Sequence, residues 1–475
     1  MATVSWRTEM HDLLVIGSGP AGYRAAVLAR LRGWDVAIAE QAAWGGTCLN
    51  RGCVPKKAWH HTARLVAHSR SGDWQARGLQ TPLQADFAAA WQHQKDVVGR
   101  VRDSYVDYLR RLGVTRYEGR ARFIDAQRVQ VNEQTLAARH YVIATGSAPR
   151  VPAPFQRIPG RVLTTDDLFD APPPTGRKAA LVGGGVIGVE FAFILAMLGH
   201  DIVWLTRASP LSHGRYSAPA MKLLGEALAR HGIAPRQTTV QGLAQTGNGL
   251  ALGLADGATL DVDWLLLGTG RLPNTAELGL PAAGVALDAQ GYVAVNAHLQ
   301  TSQAHIYAIG DCANPVMNAN QALADAAVAV ANLIEPGSRV RQAEAVPELV
   351  YSALELGRLG LNEEQAEDAG LEPATGFAAF ETNPRALGMG AAEGYVRLVA
   401  ELDSGALLGA EVVGADAGEL IHLVAARYGR TDALASLAQS FYNHPALGEE
   451  MQNAAETLGA KWGLMEQVFG KAPGA

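Results

Sequence analysis

The chain is 475 residues long, carries a formal net charge of −6 and is 48% hydrophobic, which is too long for one ordinary core and implies two to four domains. No Lys/Arg block stands out, which argues against a nucleic-acid partner, and every apolar stretch breaks at Gly or charge well before the ~18 residues a membrane span needs. The N-terminus lacks the basic-then-apolar pattern of a secretion signal, so the cytoplasm is the expected location, and three cysteines are too few for a structural disulfide framework.

Residues 13–40 read as a short apolar strand, a glycine-rich turn, an Ala-rich helix and a second strand, and residues 180–207 repeat that pattern about 166 positions later. Duplicated dinucleotide folds are the economical explanation. In the first copy the turn is Gly17-Ser-Gly19-Pro-Ala-Gly22. Gly17 suits the tight turn, Gly19 lets backbone N–H groups approach a pyrophosphate, and Gly22 allows helix and strand to pack closely. Glu40 closes the second strand 23 residues after Gly17, where a carboxylate can take both hydroxyls of a ribose.

The segment GGTCLNRGCVPKK, residues 45–57, is the most specific signal in the chain. Cys48 and Cys53 flank a short turn ending in Gly52, and the stretch after Pro55 reads as a helix. The positive helix end and Lys56 should lower a thiolate pKa there and sharpen reactivity. Zinc is the competing use of such a pair. No second cysteine pair or suitably spaced Cys/His set accompanies it, although His60 and His61 are near.

Pro-rich connectors at 149–160 and 171–176 mark a boundary before the second copy, whose turn is Gly183-Gly-Gly185-Val-Ile-Gly188. The 23-residue offset now lands on Thr206 rather than an acid, with Arg207, His213 and Arg215 following. A 2′-phosphate can pair with Arg207 where no carboxylate demands a free hydroxyl, which favours NADPH over NADH. Two nucleotide sites with different signatures suggest a nicotinamide and a flavin, without saying which site holds which. A third connector at 334–339 precedes a change of character. Beyond about residue 347, strand-like runs (GYVRLVAEL, LLGAEVVG) alternate with helix-like ones (ELIHLVAARYG), implying an α+β domain.

Taken together, these motifs resemble the class I pyridine nucleotide–disulfide oxidoreductases, the glutathione reductase/dihydrolipoamide dehydrogenase group, from Asp12 to about Thr457. The resemblance implies an α/β fold with two Rossmann-like domains and a C-terminal α+β dimerisation domain. Its segments would be 1–155 and 274–345 for FAD, 156–273 for NAD(P) and 346–475 for the homodimer interface. It implies FAD on the first glycine motif, with Gly46 and Thr47 beside it, and the nicotinamide cofactor on the second. Cys48 would be the interchange thiol and Cys53 the thiol nearest the flavin. Lys56 resembles a lysine beside the flavin that pairs with a glutamate, here Glu190. YVIATGSAP, holding Thr145 and Gly146, and GTGRLPNT, holding Arg271, match the crossings between domains. IYAIGDCA carries Asp311 for the ribityl chain and a small buried Cys312. His444-Pro-Ala-Leu-Gly-Glu449 resembles the distal base and its orienting carboxylate, supplied by the partner subunit.

The implied substrate is a small-molecule or lipoyl-type disulfide. PKK after Cys53 and Arg207 are similar to the glutathione-reductase side, whereas PAGY and RALGMGAAEGYVRL are similar to the dihydrolipoamide-dehydrogenase side. Val186 stands where glutathione-type enzymes carry a gating tyrosine, His213 replaces a second phosphate-binding arginine, and the helix arginine falls near Val27–Leu28. Mercuric reductase is disfavoured without a C-terminal cysteine pair, a transhydrogenase by the presence of Cys48/Cys53, and a flavin-bearing binding subunit by the intact catalytic set.

Overall fold

The computed structural model describes residues 10–212 and 216–470. They divide into two units, the first comprising 10–59, 87–175 and 269–341 and the second 60–86, 176–212, 216–268 and 342–470.

In the first unit the strand Met10–Ile16 runs parallel to Val36–Glu40 on one side and to Gln134–Ile143 on the other. Thr115–Glu118 extends the parallel sheet beyond Val36–Glu40, and Ile306–Ala308 adds a parallel strand to Gln134–Ile143. Arg128–Val131 and Ala121–Asp125 continue from Gln134–Ile143 as an antiparallel meander. Leu13, Leu14 and Val15 are wholly buried, as expected of a parallel strand covered on both faces. On one face the helices Pro20–Arg30 and Ala319–Ile334 meet through Ala25, Ala26, Ala29, Ala322, Ala326 and Ala329. Alanine lets two helix backbones approach closely, so the Ala-rich composition is a packing device.

In the second unit Pro235–Gln237, Asp201–Thr206, Lys178–Val182 and Trp264–Leu267 lie side by side in that order, all parallel. The helix Val186–Met197 between two of them is apolar almost all round and buried along its length, with Glu190 its one buried charge. An antiparallel three-stranded sheet follows the order Val240–Gln245, Leu250–Leu254, Thr259–Val262. Residues beyond 347 form an antiparallel five-stranded sheet ordered Glu348–Tyr351, Glu355–Gly360, Leu407–Gly414, Gly394–Glu401, Pro373–Ala379. Helices Ala417–Ala425 and Glu449–Trp462 pack on it through Ile421, Val424, Met451 and Leu458. The expected α/β class, with an α+β C-terminal part, is what forms. Among the described residues no helix is long and apolar enough to cross a membrane.

Candidate active site

Both glycine motifs are built the same way. Gly17 has a φ of +101° and Gly183 a φ of +134°, a region that favours glycine. A Cβ on Gly22 would sit 1.9 Å from the Gly17 carbonyl oxygen, and one on Gly188 would sit 2.0 Å from that of Gly183. A Cβ on Gly17 would meet the Ala144 carbonyl oxygen at 2.4 Å, and one on Gly183 that of Gly268 at 2.2 Å. Gly19 and Gly185, by contrast, have open space where a Cβ would go. They head the helices Pro20–Arg30 and Val186–Met197, neither of which has a side-chain cap or an acid in its first turn. Each helix therefore leaves its positive N-terminus and its first N–H groups for an external anion.

The acidic signature differs between the copies as the sequence suggests. Buried Glu40 accepts from the Ser18 N–H at 2.8 Å and the Ser18 hydroxyl at 2.7 Å through Oε2, and from the Ala42 N–H at 2.8 Å through Oε1. Its carboxylate thus also pins the turn. Thr206 is buried in the corresponding place, and its hydroxyl makes no hydrogen bond among the described residues. Arg207 is exposed, and His213 lies outside the described residues.

Cys48 lies within the short helix Gly46–Arg51, and Cys53 is the first residue of the helix Cys53–Ser69. The expected turn is therefore a helix break at Gly52, and Pro55 is tolerated because it sits in the first turn of the second helix. Both cysteines are thiols and their side chains are hydrogen-bonded to each other. The segment lies directly on the first glycine turn: a Cβ on Gly46 would meet the Gly19 Cα at 2.7 Å, and the Gly45 N–H donates to the Ser18 hydroxyl at 3.0 Å. Asn50 Nδ2 donates to the carbonyls of Gly46 (2.8 Å) and Trp44 (3.0 Å), while its buried Oδ1 finds no donor among the described residues.

The expected depression of the thiol pKa is not found at Cys48. Its hydrogen bond with Cys53 and its burial hold it well above the ordinary thiol range, and the Lys57 ammonium opposes them only in part. A helix end stabilises a thiolate less than a shared proton and partial burial stabilise the thiol. Lys56 is half-buried, one turn into the same helix, and Glu190, in the second unit, accepts the Tyr351 N–H at 2.8 Å.

The two crossing segments pair with each other as antiparallel strands Ser147–Pro149 and Arg271–Pro273. Thr145 donates its hydroxyl to the Asn274 carbonyl at 2.7 Å, and Gly146 takes a φ of +68° as the chain turns into the first of these strands. Arg271 donates to the Ser147 hydroxyl and carbonyl, both at 2.7 Å, and that hydroxyl donates to Asp311 Oδ2 at 2.6 Å. Burial raises the Asp311 carboxyl, with the Ser147 bond acting against it. Cys312 is wholly buried and its thiol is pushed up to about 11 by that burial.

His444 is 74% exposed, and its Nδ1 meets Glu449 Oε1 at 2.8 Å. The Ala446 N–H binds the other carboxylate oxygen at 2.7 Å. These two bonds hold the Glu449 carboxyl below its usual range, the His444 bond first. Nε2 of His444 makes no hydrogen bond among the described residues, so the imidazole is fixed at one nitrogen and open at the other.

The Pyridine nucleotide-disulphide oxidoreductase model matches residues 11–329, and the dimerisation-domain model of the same name matches residues 346–455. The chain belongs to that family. It is 33% identical to a dihydrolipoyl dehydrogenase of Thermus scotoductus over 95% of this chain and 98% of the relative. The crystal structure of LpdA from Mycobacterium tuberculosis is similar at a TM-score of 0.87 and 25% identity, over 94% of this chain and 99% of that one. The HOCl-induced flavoprotein disulfide reductase RclA of Escherichia coli is similar at a TM-score of 0.80 and 27% identity, over 94% and 99%. The chain is thus a flavoprotein oxidoreductase acting on sulfur groups, dependent on FAD and a pyridine nucleotide.

In this oxidoreductase the residues of the first unit fit FAD. It has an uncapped helix N-terminus at Gly19, a buried acceptor without a donor at Asn50 and a half-buried carboxylate at Asp311. Ser18, Asn50 and Ser147 had no sequence signal as site residues, because each finds its place through a fold-made contact. Ser18 alone could have been flagged, since it is the variable position inside the glycine turn. Among the described residues no group of three or more His, Cys, Asp or Glu could hold a metal ion.

Proposed function

We propose that the chain acts as a cytoplasmic homodimeric NAD(P)H:disulfide oxidoreductase, using the Cys48/Cys53 pair on a small-molecule or lipoyl-bearing disulfide, with NADPH the preferred nucleotide. The carrying observation is the hydrogen-bonded dithiol set directly against the first glycine turn. Bound FAD supplies the two-electron relay between nicotinamide and sulfur. Glu40, Gly17, Gly19, Gly22, Gly46, Thr47, Thr145, Gly146 and Asp311 would hold it, and Lys56 and Glu190 would take part in the same chemistry. Gly183, Gly185, Gly188, Arg207, His213 and Arg271 would serve the nicotinamide cofactor.

Cys48 thiolate attacks one sulfur of the substrate disulfide, whose S–S bond breaks as a mixed disulfide forms. His444 of the partner subunit, having taken the Cys48 proton, returns it to the departing thiolate. Cys53 thiolate then attacks the Cys48 sulfur, remaking the Cys48–Cys53 disulfide and releasing the second thiol after protonation. Two electrons leave the dithiol and two thiols are produced. A Cys48 thiol held above its ordinary range makes an external base necessary at neutral pH. The steps reverse for a dithiol substrate and NAD(P)⁺.

Anaerobic titration with NADPH and then NADH tests this reading. A long-wavelength band of Cys53 thiolate against oxidised flavin should develop at two electrons, at lower concentration with NADPH. Bleaching without the band sinks the disulfide mechanism. Arg207→Ala should raise the KM for NADPH roughly 10- to 100-fold, the worth of one charge-assisted hydrogen bond, and leave that for NADH within twofold. Equal effects on both would remove Arg207 from nucleotide selection.

Gly19 and Gly22 separate binding from folding. Gly22→Ala forces a Cβ into the Gly17 carbonyl and should cost about 3 kcal/mol, seen as a lower Tm and lost flavin. Gly19→Ala meets no atom within 4 Å and its φ of −62° is ordinary. It should keep the parent far-UV spectrum while flavin affinity drops by at least tenfold. Retained flavin in Gly19→Ala would move the pyrophosphate elsewhere.

A further inference from the structure

Four residues separate Cys48 from Cys53, and Arg51 is the one among them that carries a charge. It ends the helix Gly46–Arg51, which packs on the helix Thr165–Asp170. Asp166 and Asp170, four apart on that helix, present their carboxylates on one face. Arg51 Nε lies 2.7 Å from Asp170 Oδ2, and Arg51 NH1 lies 3.9 Å from Asp166 Oδ2. The Arg51 side chain is 31% exposed, Asp166 19% and Asp170 48%, so the contact with Asp166 is the less screened of the two.

Other charges face the same cluster. Arg271 NH1 is 4.0 Å from Asp166 Oδ1, and Lys95 donates to the Phe169 carbonyl next to Asp170. Burial raises the Asp166 carboxyl, while Arg271 and Arg51 both pull it back. The redox segment is therefore joined to the Arg271–Ser147–Asp311 line through one carboxylate. The glycine turn needs none of this, and the Cys48–Cys53 exchange described above uses no part of it.

We propose that Arg51, clamped by Asp166 and Asp170, is a positioning residue that sets the dithiol–disulfide poise of the Cys48/Cys53 pair. The two carboxylates hold the end of the helix that carries Cys48 and offset a cation that stands between the two cysteines in the chain. Charge removed from either side of the clamp then shifts the pair in opposite directions. With Asp170 neutral, Arg51 and Lys95 are under-compensated, the Cys53 thiolate is favoured, and the reduced pair is stabilised. With Arg51 gone, two carboxylates stand uncompensated and the disulfide is stabilised.

The inference rests on Cys48 and Cys53 being the redox couple, and the test separates the two ideas. Flavin-loaded enzyme is equilibrated anaerobically with mixtures of reduced and oxidised dithiothreitol, quenched in acid, alkylated and weighed. Two electrons and two protons pass between dithiothreitol and the cysteines, so the equilibrium constant is read directly. Asp170→Asn should shift it roughly tenfold toward the dithiol, about 30 mV for a two-electron couple. Arg51→Met should shift it roughly tenfold the other way. Arg51→Lys, which keeps the charge, should stay within about threefold of the parent, and flavin content reports folding for each variant. Shifts of the same sign, or none in flavin-loaded variants, overturn the clamp. A parent pair that fails to exchange with dithiothreitol overturns the redox reading itself.

Discussion

Cys48→Ser should abolish turnover of any disulfide substrate, by on the order of 10⁴-fold or more, while the nicotinamide cofactor still reduces the bound flavin. The serine hydroxyl cannot form the mixed disulfide, so the second half of the cycle stops. Hydride acceptance does not depend on Cys48, so reduction of an artificial quinone or dye acceptor should stay within threefold of the parent. Loss of the sulfur at position 48 also frees Cys53 from the hydrogen bond that the pair now shares. The long-wavelength band should then stand in the oxidised enzyme without added reductant, and Cys53→Ser should lack it altogether. Stopped-flow reduction and steady-state assays on the two serine variants decide the matter. If Cys48→Ser keeps disulfide turnover, the electrons leave by another path.

His444→Ala should lower disulfide turnover at neutral pH by roughly 10²–10⁴-fold, the usual range for a positioned acid–base group. Its pH dependence carries the sharper statement. The Cys48 thiol is held above its ordinary value by its bond to Cys53 and by burial. Below a raised pKa the thiolate fraction falls tenfold for each pH unit. Without the imidazole to take the proton, residual activity should therefore climb about tenfold per unit from pH 6 to pH 9, toward the raised pKa. The parent should vary far less over that range. Glu449→Gln, which leaves His444 in place but removes the carboxylate now bound to Nδ1, should fall between the two. A flat profile for His444→Ala would mean that solvent or another group, not this histidine, handles the proton.

Both glycine turns were legible from spacing, because the constraint they answer is local. One carbonyl oxygen stands where a Cβ at the sixth position would go, 1.9 Å away in one copy and 2.0 Å in the other. The cysteine pair and the His-Pro-x-x-x-Glu run were legible for the same reason: the parts of each sit within a few residues of one another. Ser147 and Asp166 were not. Ser147 acquires its meaning from Arg271 and Asp311, 124 and 164 residues away, and nothing in SAP or TTDD announces those partners. The thiol pKa was misjudged for a related reason. A helix N-terminus can be read from sequence, but the desolvation and shared proton that outweigh it at Cys48 exist only once the segment is packed. Arg51 illustrates the middle case, a visible charge whose partners, two carboxylates on a distant helix, only the fold supplies.

The first unit is assembled from three separated stretches of chain, and its central strand Gln134–Ile143 receives the neighbour Ile306–Ala308 from far downstream. During synthesis the opening residues must therefore wait. The turn at Gly17 and the thiols at 48 and 53 emerge early, yet Asp311 and the helix Ala319–Ile334 that closes over the sheet are made more than two hundred residues later. Long-range pairing of this kind is slow to form and leaves apolar strand surface uncovered meanwhile. A nascent or truncated chain ending before about residue 308 cannot complete the first unit's sheet. Flavin capture is consequently a late event in the life of this polypeptide, and chaperone demand should be greatest before it.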